Sequence, residues 1–285
     1  MNERRPSRLF RFLLLCLLLG IFVELFVLIE FLAGKHHGHG NVAVVEIREV
    51  IDDSFQTVQD LKDYTKDDEI KAIVLRVDSP GGAVGASQEI HDAVVEATKK
   101  KKVVVSMGDV AASGGYYVSA PAHKIVANPG TLTGSIGVIA HFFVVEDLLK
   151  KAFLRWEVIK SGSVKDLGSP LRSMTEKERK LLQEMTDDIH SQFIQAVAEG
   201  RKMPVEKVRE LADGRVMSGR QAKEAGLVDE FGGLEKAIEI AAKLAQIKDE
   251  PEVIYPERER FGWIRRLAEG KLETKSFRVD YRLFP

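Results

Sequence analysis

Ser113 stands between an apolar run and a glycine pair, in Val103-Val104-Val105-Ser106-Met107-Gly108-Asp109-Val110-Ala111-Ala112-Ser113-Gly114-Gly115-Tyr116-Tyr117. Small residues on both sides let a backbone or a carbonyl approach the hydroxyl closely. A helix opening just after it turns its first free N–H groups outward, where a negative oxygen is stabilised. A serine hydroxyl is a weak nucleophile at neutral pH and needs a base, and the attacked carbonyl needs donors where charge develops. Gly82, at the end of Ser79-Pro80-Gly81-Gly82, and Gly114 are the candidate donors through their N–H groups. They converge if the strands that end there are neighbours, as two consecutive strand–helix units make them. The alternative is structural: a tight turn at residues 79–82 and close helix packing at 111–115.

Three residues compete as the base: Lys165, in Ser161-Gly162-Ser163-Val164-Lys165-Asp166-Leu167-Gly168-Ser169-Pro170, and the histidines His123 and His141. A lysine base must fall from a pKa of about 10.4 toward about 7–8, a difference of roughly 4 kcal/mol that burial has to supply. His141 needs no such shift and would invite a Ser/His/Asp triad, but in Ile139-Ala140-His141-Phe142-Phe143 packing at a strand end explains it equally well. His123 follows Ala120-Pro121-Ala122 and reads as an exposed turn residue.

These residues need a scaffold, and from Asn41 onward apolar runs alternate with helical patterns, which argues for an α/β domain. Residues 42–47, 70–77 and 103–107 read as strands, the third delivering the chain to Ser113. Residues 54–66 and 84–99 read as helices, the first capped by Ser54. Residues 125–127 and 135–140 are short strands around the Asn128-Pro129-Gly130 turn, and residues 145–152 a helix. A long helix over 175–201 starts at Thr175 with Glu178 three residues on, and Leu182, Met185, Ile189, Phe193 and Val197 form its apolar stripe. Shorter helices follow at 205–211, 219–225 and 234–245. Past Asp249 the chain turns charged, with residues 261–272 a candidate amphipathic helix for docking or membrane-surface contact.

Composition narrows the function classes. The 285 residues are 45% hydrophobic and 30% charged, and 42 Lys and Arg against 43 Asp and Glu leave no global field to recruit nucleic acid. The single cysteine, Cys16, excludes an intrachain disulfide, a thiol nucleophile in the body and a cysteine-based zinc site.

Cys16 lies in an apolar segment over residues 12–33, preceded by Arg4, Arg5, Arg8 and Arg11. Its seventeen Leu, Ile, Phe and Val residues contribute about −5 to −10 kcal/mol to insertion, against roughly +3 kcal/mol for a central acid. A transmembrane anchor is therefore expected despite Glu24 and Glu30. A cleaved signal peptide would have a shorter core and an Ala-x-Ala-like site, which Phe31-Leu32-Ala33-Gly34-Lys35 is not. The arginine bias places the N-terminus in the cytoplasm and the body on the other face. Residues 34–41 read as a polar linker. The expected division is a basic cytoplasmic segment (1–11), an anchor (12–33), the linker (34–41), a catalytic domain (42–248) and a charged appendage (249–285).

Several blocks occur in an order that resembles a known family. They are Arg76-Val77-Asp78-Ser79-Pro80-Gly81-Gly82, Ala111-Ala112-Ser113-Gly114-Gly115-Tyr116-Tyr117, Thr133-Gly134-Ser135-Ile136-Gly137-Val138, Lys165-Asp166-Leu167-Gly168-Ser169-Pro170-Leu171-Arg172 and Gly214-Arg215-Val216-Met217-Ser218-Gly219. From about residue 42 to 244 the chain resembles the short form of signal peptide peptidase A. The resemblance implies a Clp protease/crotonase-like α/β fold, a spiral of ββα units after one transmembrane helix. It also implies a serine endopeptidase of the inner membrane that degrades cleaved signal peptides and other extended apolar peptides. Carried over by position, Ser113 is the nucleophile, Lys165 the general base, Gly82 and Gly114 the oxyanion donors with Gly81 adjacent, and Ser135 the hydroxyl that orients the lysine. His141 is left as a packing residue. No metal or organic cofactor is required.

This chain carries one copy of the catalytic domain, whereas the long form of the family is a tandem with serine and lysine in different halves. The resemblance thus implies a homo-oligomeric ring in which Lys165 of one chain serves Ser113 of another. Two rival readings remain: a crotonase-like CoA thioester enzyme, which would use the two-amide hole without a covalent serine, and a non-catalytic membrane scaffold.

Overall fold

The computed structural model describes residues 17–18, 40–256 and 279–282. The expected anchor over residues 12–33 and the expected helix over 261–272 lie outside the described residues. Among the described residues no helix is long and apolar enough to cross a membrane.

Four central strands carry the fold: β1 (Val42–Arg48), β2 (Ala72–Ser79), β4 (Lys102–Ala112) and β5 (Lys124–Ala127). They are apolar on both faces, the pattern of parallel strands covered on each side. Val42, Val44, Ile73, Val74, Val103, Val104 and Val126 are all fully buried. Together with β9 (Glu230–Phe231) and β10 (Val253–Ile254) they pair in parallel in the order β10-β1-β2-β4-β5-β9. β10, which follows residue 249, is thus part of the main sheet.

Helices cover the two faces unequally. On one face pack α1 (Phe55–Lys66), α2 (Val84–Thr98), α3 (Gly114–Ser119), α5 (Glu176–Arg201), α6 (Val205–Leu211) and α7 (Gly219–Glu224), through buried residues such as Leu61, Ile90, Tyr116, Phe193, Val208 and Ala222. On the other, the helix α8 (Leu234–Leu244) sets Ala237, Ile238 and Ala241 against Val42, Val44, Ala72, Val74, Val104 and Val126. A short helix, α4 (Glu146–Lys151), buries none of its residues.

The expected capping box of the long helix is present: Thr175 Oγ1 accepts from Glu178 N, and Glu178 accepts from Thr175 N. Ser54 behaves differently. Its hydroxyl donates to Glu89 on α2 and caps nothing, because a partner from another helix outcompetes the local N–H.

Strand boundaries differ from expectation where the site is built. β4 continues five residues past Met107, to Ala112. Leu132–Gly134, expected as a loop, forms β6, parallel to the end of β4 and antiparallel to β8 (Val216–Ser218). Of the expected strand 135–140 only Ile139–Ala140 is one, β7. Gly81–Ala83 forms β3, and a second small sheet runs β3-β11-β7, with β11 being Val279–Arg282.

Candidate active site

Ser113 is placed by a bulge in β4. Val77 pairs with Met107 and Ser79 with Ala111, so three residues of β4 oppose one of β2. Asp78 fixes the bulge: its Oδ1 accepts from Val110 N at 3.1 Å, and a Cβ on Gly108 would lie 2.6 Å from the Asp78 carboxyl carbon. A bulge bends and re-aims its strand, and here it carries β4 across the end of β2 to Ser113.

The chain then turns at Ser113 itself, which has φ 54° and ψ −118° and immediately precedes α3. A non-glycine residue at positive φ costs on the order of 1–3 kcal/mol and persists only where its surroundings hold it. Those surroundings are a 2.8 Å bond from Ser113 N to Gly134 O and one from Tyr117 N to Ser113 O, also 2.8 Å. Ser113 is buried at 1% exposure.

The candidate donors adjoin each other. A Cβ added to Gly114 would lie 3.2 Å from both Gly81 Cα and Gly82 N, so the two backbones meet beside the serine. Gly81 makes this possible with φ 98°, a conformation open to glycine. Ile51 N donates to Gly81 O and Ala83 N donates to Ile51 O. Alternate residues of a strand turn their amides to opposite edges, so the Gly82 N–H faces the other edge. On that edge lies β11, antiparallel, with Tyr281 opposite Gly82 and Asp280 opposite Ala83; its far edge pairs with β7. The space between β3 and β7 is thus filled by the extended backbone of β11.

Ser135 follows Gly134, the carbonyl that holds Ser113 N, and is also at positive φ (51°) with 8% exposure. It lines a cavity of about 360 Å³ with Gly137, Ile139, His190 and Gly214. Ser113, Gly82, Gly114 and Ser135 are thus gathered at one sheet end.

Lys165 is elsewhere. It is exposed, on a turn-rich segment between α4 and α5, and no hydrogen bond joins its side chain to Ser113. Large apolar side chains stand exposed on the stretch leading to it: Phe143 is 85% exposed, Phe153 95% and Ile159 103%. His141 is exposed too, at the end of the two-residue edge strand β7, and so does not pack as expected. An edge that short has no second layer over it. His123 is exposed as expected and accepts from Val103 N at 3.2 Å.

The turn-rich segment is ordered by charges that sequence reading passed over. Arg172 Nε donates to Asp166 Oδ2 at 2.7 Å and Nη1 donates to Glu178 Oε2 at 2.8 Å. Lys160 also pairs with Asp166. The Arg172 guanidinium, and then Lys160, hold the Asp166 carboxyl well below the usual carboxylate range. Arg172 and the Thr175 N–H lower Glu178 to about 2. Asp166 and Arg172 lie on turns and bends, where no regular period applies, so only the sign of the charges hinted at these pairs. Asp78 and the fully buried Ser87 gave no signal either, since their roles depend on a neighbouring strand and helix.

Comparison with known proteins gives the family. The model of peptidase family S49 matches residues 96–248, more than half of the chain, and that of the Clp protease matches residues 42–129. A chain named as a protease in Synechocystis sp. is 42% identical over 205 residues, covering 72% of this chain and 74% of that one. A chain named as signal peptide peptidase SppA in Enterococcus faecium is 40% identical over 199 residues, 68% of this chain and 57% of its own length. Protease 4 of Salmonella typhi is 39% identical over 207 residues, 70% of this chain but only 33% of its own. A mixed α/β body with a Clp protease domain, a buried serine at a strained strand end and these relatives lead to one assignment: the chain belongs to peptidase family S49 and is a serine peptidase.

Proposed function

We propose that this protein is a membrane-anchored endopeptidase that cleaves signal peptides and other extended apolar segments through Ser113 and Lys165. The observation that carries the reading is the junction of Ser113 with two glycine amides: Gly114 opens α3 directly after the serine and abuts Gly82. A carbonyl carbon held at Ser113 Oγ sits where both N–H groups can reach its oxygen, the arrangement that stabilises a tetrahedral oxyanion.

In the mechanism, neutral Lys165 takes the Ser113 proton as Oγ attacks the scissile carbonyl, and Gly82 and Gly114 N–H hold the oxyanion. The lysine returns the proton to the leaving amine, giving an acyl-enzyme, and water repeats the sequence to release the acid. Ser135 orients the amine. The substrate lies extended between β3 and β7, pairing its backbone with Gly81–Ala83 as β11 does. Apolar peptides suit this mode, since their side chains need no polar partners.

Lys165 is supplied by a second copy of the chain. Support comes from its exposure and from the large apolar side chains exposed on the same stretch of chain, Phe143, Phe153, Trp156 and Ile159. Apolar side chains exposed together in this way suit an interaction surface. The oligomer is a closed ring of ββα bodies, with residues 12–33 anchoring each to the inner membrane and the bodies on its outer face. The anchor raises the local concentration of membrane-embedded substrate.

The test uses full-length protein in detergent and a quenched apolar peptide. Ser113→Ala and Lys165→Ala each abolish turnover, and a serine-reactive phosphonate labels wild type but not Ser113→Ala. Mixing the two inactive variants restores part of the activity. Retention of turnover by Lys165→Ala would refute the dyad, and a mixture that stays inactive would refute its sharing between copies.

A further inference from the structure

Asp166 follows Lys165 directly, and a free carboxylate there works against the chemistry, because an opposite charge close to an amine stabilises its protonated form. The structure disposes of that charge thoroughly. Asp166 accepts from Arg172 Nε at 2.7 Å on one oxygen and pairs with Lys160 on the other, and its backbone carbonyl accepts from Arg172 Nη2 at 3.4 Å. The same guanidinium is clamped from behind by Glu178, whose side chain is 3% exposed, and by Ser173 O at 3.1 Å. Glu178 is itself fixed by Thr175, at 2.9 Å from the backbone N and 3.0 Å from Oγ1. The turn bearing Lys165 is thereby tied to the first turn of α5.

Besides Lys165 and the exposed Lys151, Arg155 and Glu157, the charged groups on this segment and on α4 are Lys160, Asp166, Arg172, Glu146, Asp147 and Lys150, joined by Glu178 of α5. Glu146 is occupied by Lys150 at 2.8 Å and by Ser173 N and Oγ. Every carboxylate among them already has a cation. The Lys165 side chain has no ion-pair or hydrogen-bond partner within the described residues.

We propose that Arg172 is a positioning residue for the Lys165 base, holding the Asp166 carboxylate occupied so that the adjacent amine is presented without a counter-charge. The inference rests on the assignment of Lys165 as the base. Arg172 touches no reacting atom; it acts through Asp166.

The test is the pH dependence of kcat/KM for the full-length protein with the apolar peptide. Its acid limb reports deprotonation of the free enzyme's base. In Arg172→Gln, Asp166 is left to Lys160 and to Lys165, and the acid limb moves up by about 1 pH unit or more, with activity largely recovered at the alkaline end. Adding Asp166→Asn to that variant returns the limb to its wild-type position. Asp166→Asn alone leaves Lys160 without its carboxylate and Arg172 with Glu178 only, and moves the limb down. A purely structural Arg172 predicts instead an equal loss at every pH, and that result overturns the proposal. If Arg172→Gln does not fold, Asp166→Asn decides alone: a limb that stays in place overturns it. Failure of the underlying assignment is separate, since there Lys165→Ala keeps its activity.

Discussion

Gly114→Ala tests the oxyanion hole with a single methyl group. The added Cβ would stand 2.7 Å from Ser87 Oγ and 3.2 Å from Gly81 Cα and Gly82 N, against a comfortable carbon contact of about 3.5–4.0 Å. The Gly81–Gly82 backbone must therefore retreat by about 0.3–0.8 Å from Gly114, widening the gap between the two amides. Loss of one donor lowers a rate by about 100- to 1000-fold, and a 1 Å misplacement by about 100-fold; kcat is expected to fall about 100-fold. Overpacking costs about 1–3 kcal/mol, a fall of about 2–10 °C in Tm for a body of this size. The Ser87 hydroxyl is fully buried and has no hydrogen-bond partner among the described residues. Its removal in Ser87→Ala/Gly114→Ala relieves the tightest contact and restores part of kcat. Initial rates on the quenched peptide, phosphonate labelling of Ser113 and a melting curve give the three readouts. A Gly114→Ala protein that melts lower but keeps kcat within about threefold of wild type would show that these amides do not hold the oxyanion.

Three further expectations follow from the geometry. Deleting residues 279–285 exposes the Gly82 edge of β3 and raises kcat/KM for a short peptide several-fold in a continuous assay; an unchanged value would mean that β11 does not compete with substrate. Phe153→Asp with Ile159→Asp lowers the sedimentation coefficient and the activity together, and an intact assembly would place the interface elsewhere. Glu178, lowered to about 2 from 4.5 mainly by Arg172 and then by the Thr175 N–H, stabilises the fold above its unfolded pKa and loses that contribution as pH falls from about 4.5 to 2. Melting temperature against pH should therefore drop over that window less steeply in Glu178→Gln than in wild type, and equal slopes would contradict it.

Much of the scaffold was readable because its cues are local or periodic. Strands such as Val42–Arg48 are continuous apolar runs, and the Thr175 box involves residues only three apart. What escaped was set by neighbours distant in sequence. Gly81–Ala83 and Leu132–Gly134 are too short and too rich in small residues to alternate, and become strands only because Ile51, β4 and β8 pair with them. Ser54 matched a cap by type, yet Glu89 took its hydroxyl. At the candidate site, Ser113, Gly82 and Gly114 were nominated through their chemistry, whereas the Asp78 latch and the Arg172 tie depend on pairings that no local pattern announces.

The unequal cover of the sheet has a consequence for how the protein is made. Among the described residues one face rests on the stretch 234–247 with Val253, and the outer edge of β1 on Val253 and Ile254. During synthesis the valine-rich strands emerge first and must wait, bare on that side, until almost the whole body has been translated. Such a nascent intermediate offers an unpaired edge and an uncovered apolar layer to its neighbours. Chains stopped short of residue 234 should therefore clump rather than fold, and a chaperone that shields extended apolar segments should be needed for as long as that last helix is missing.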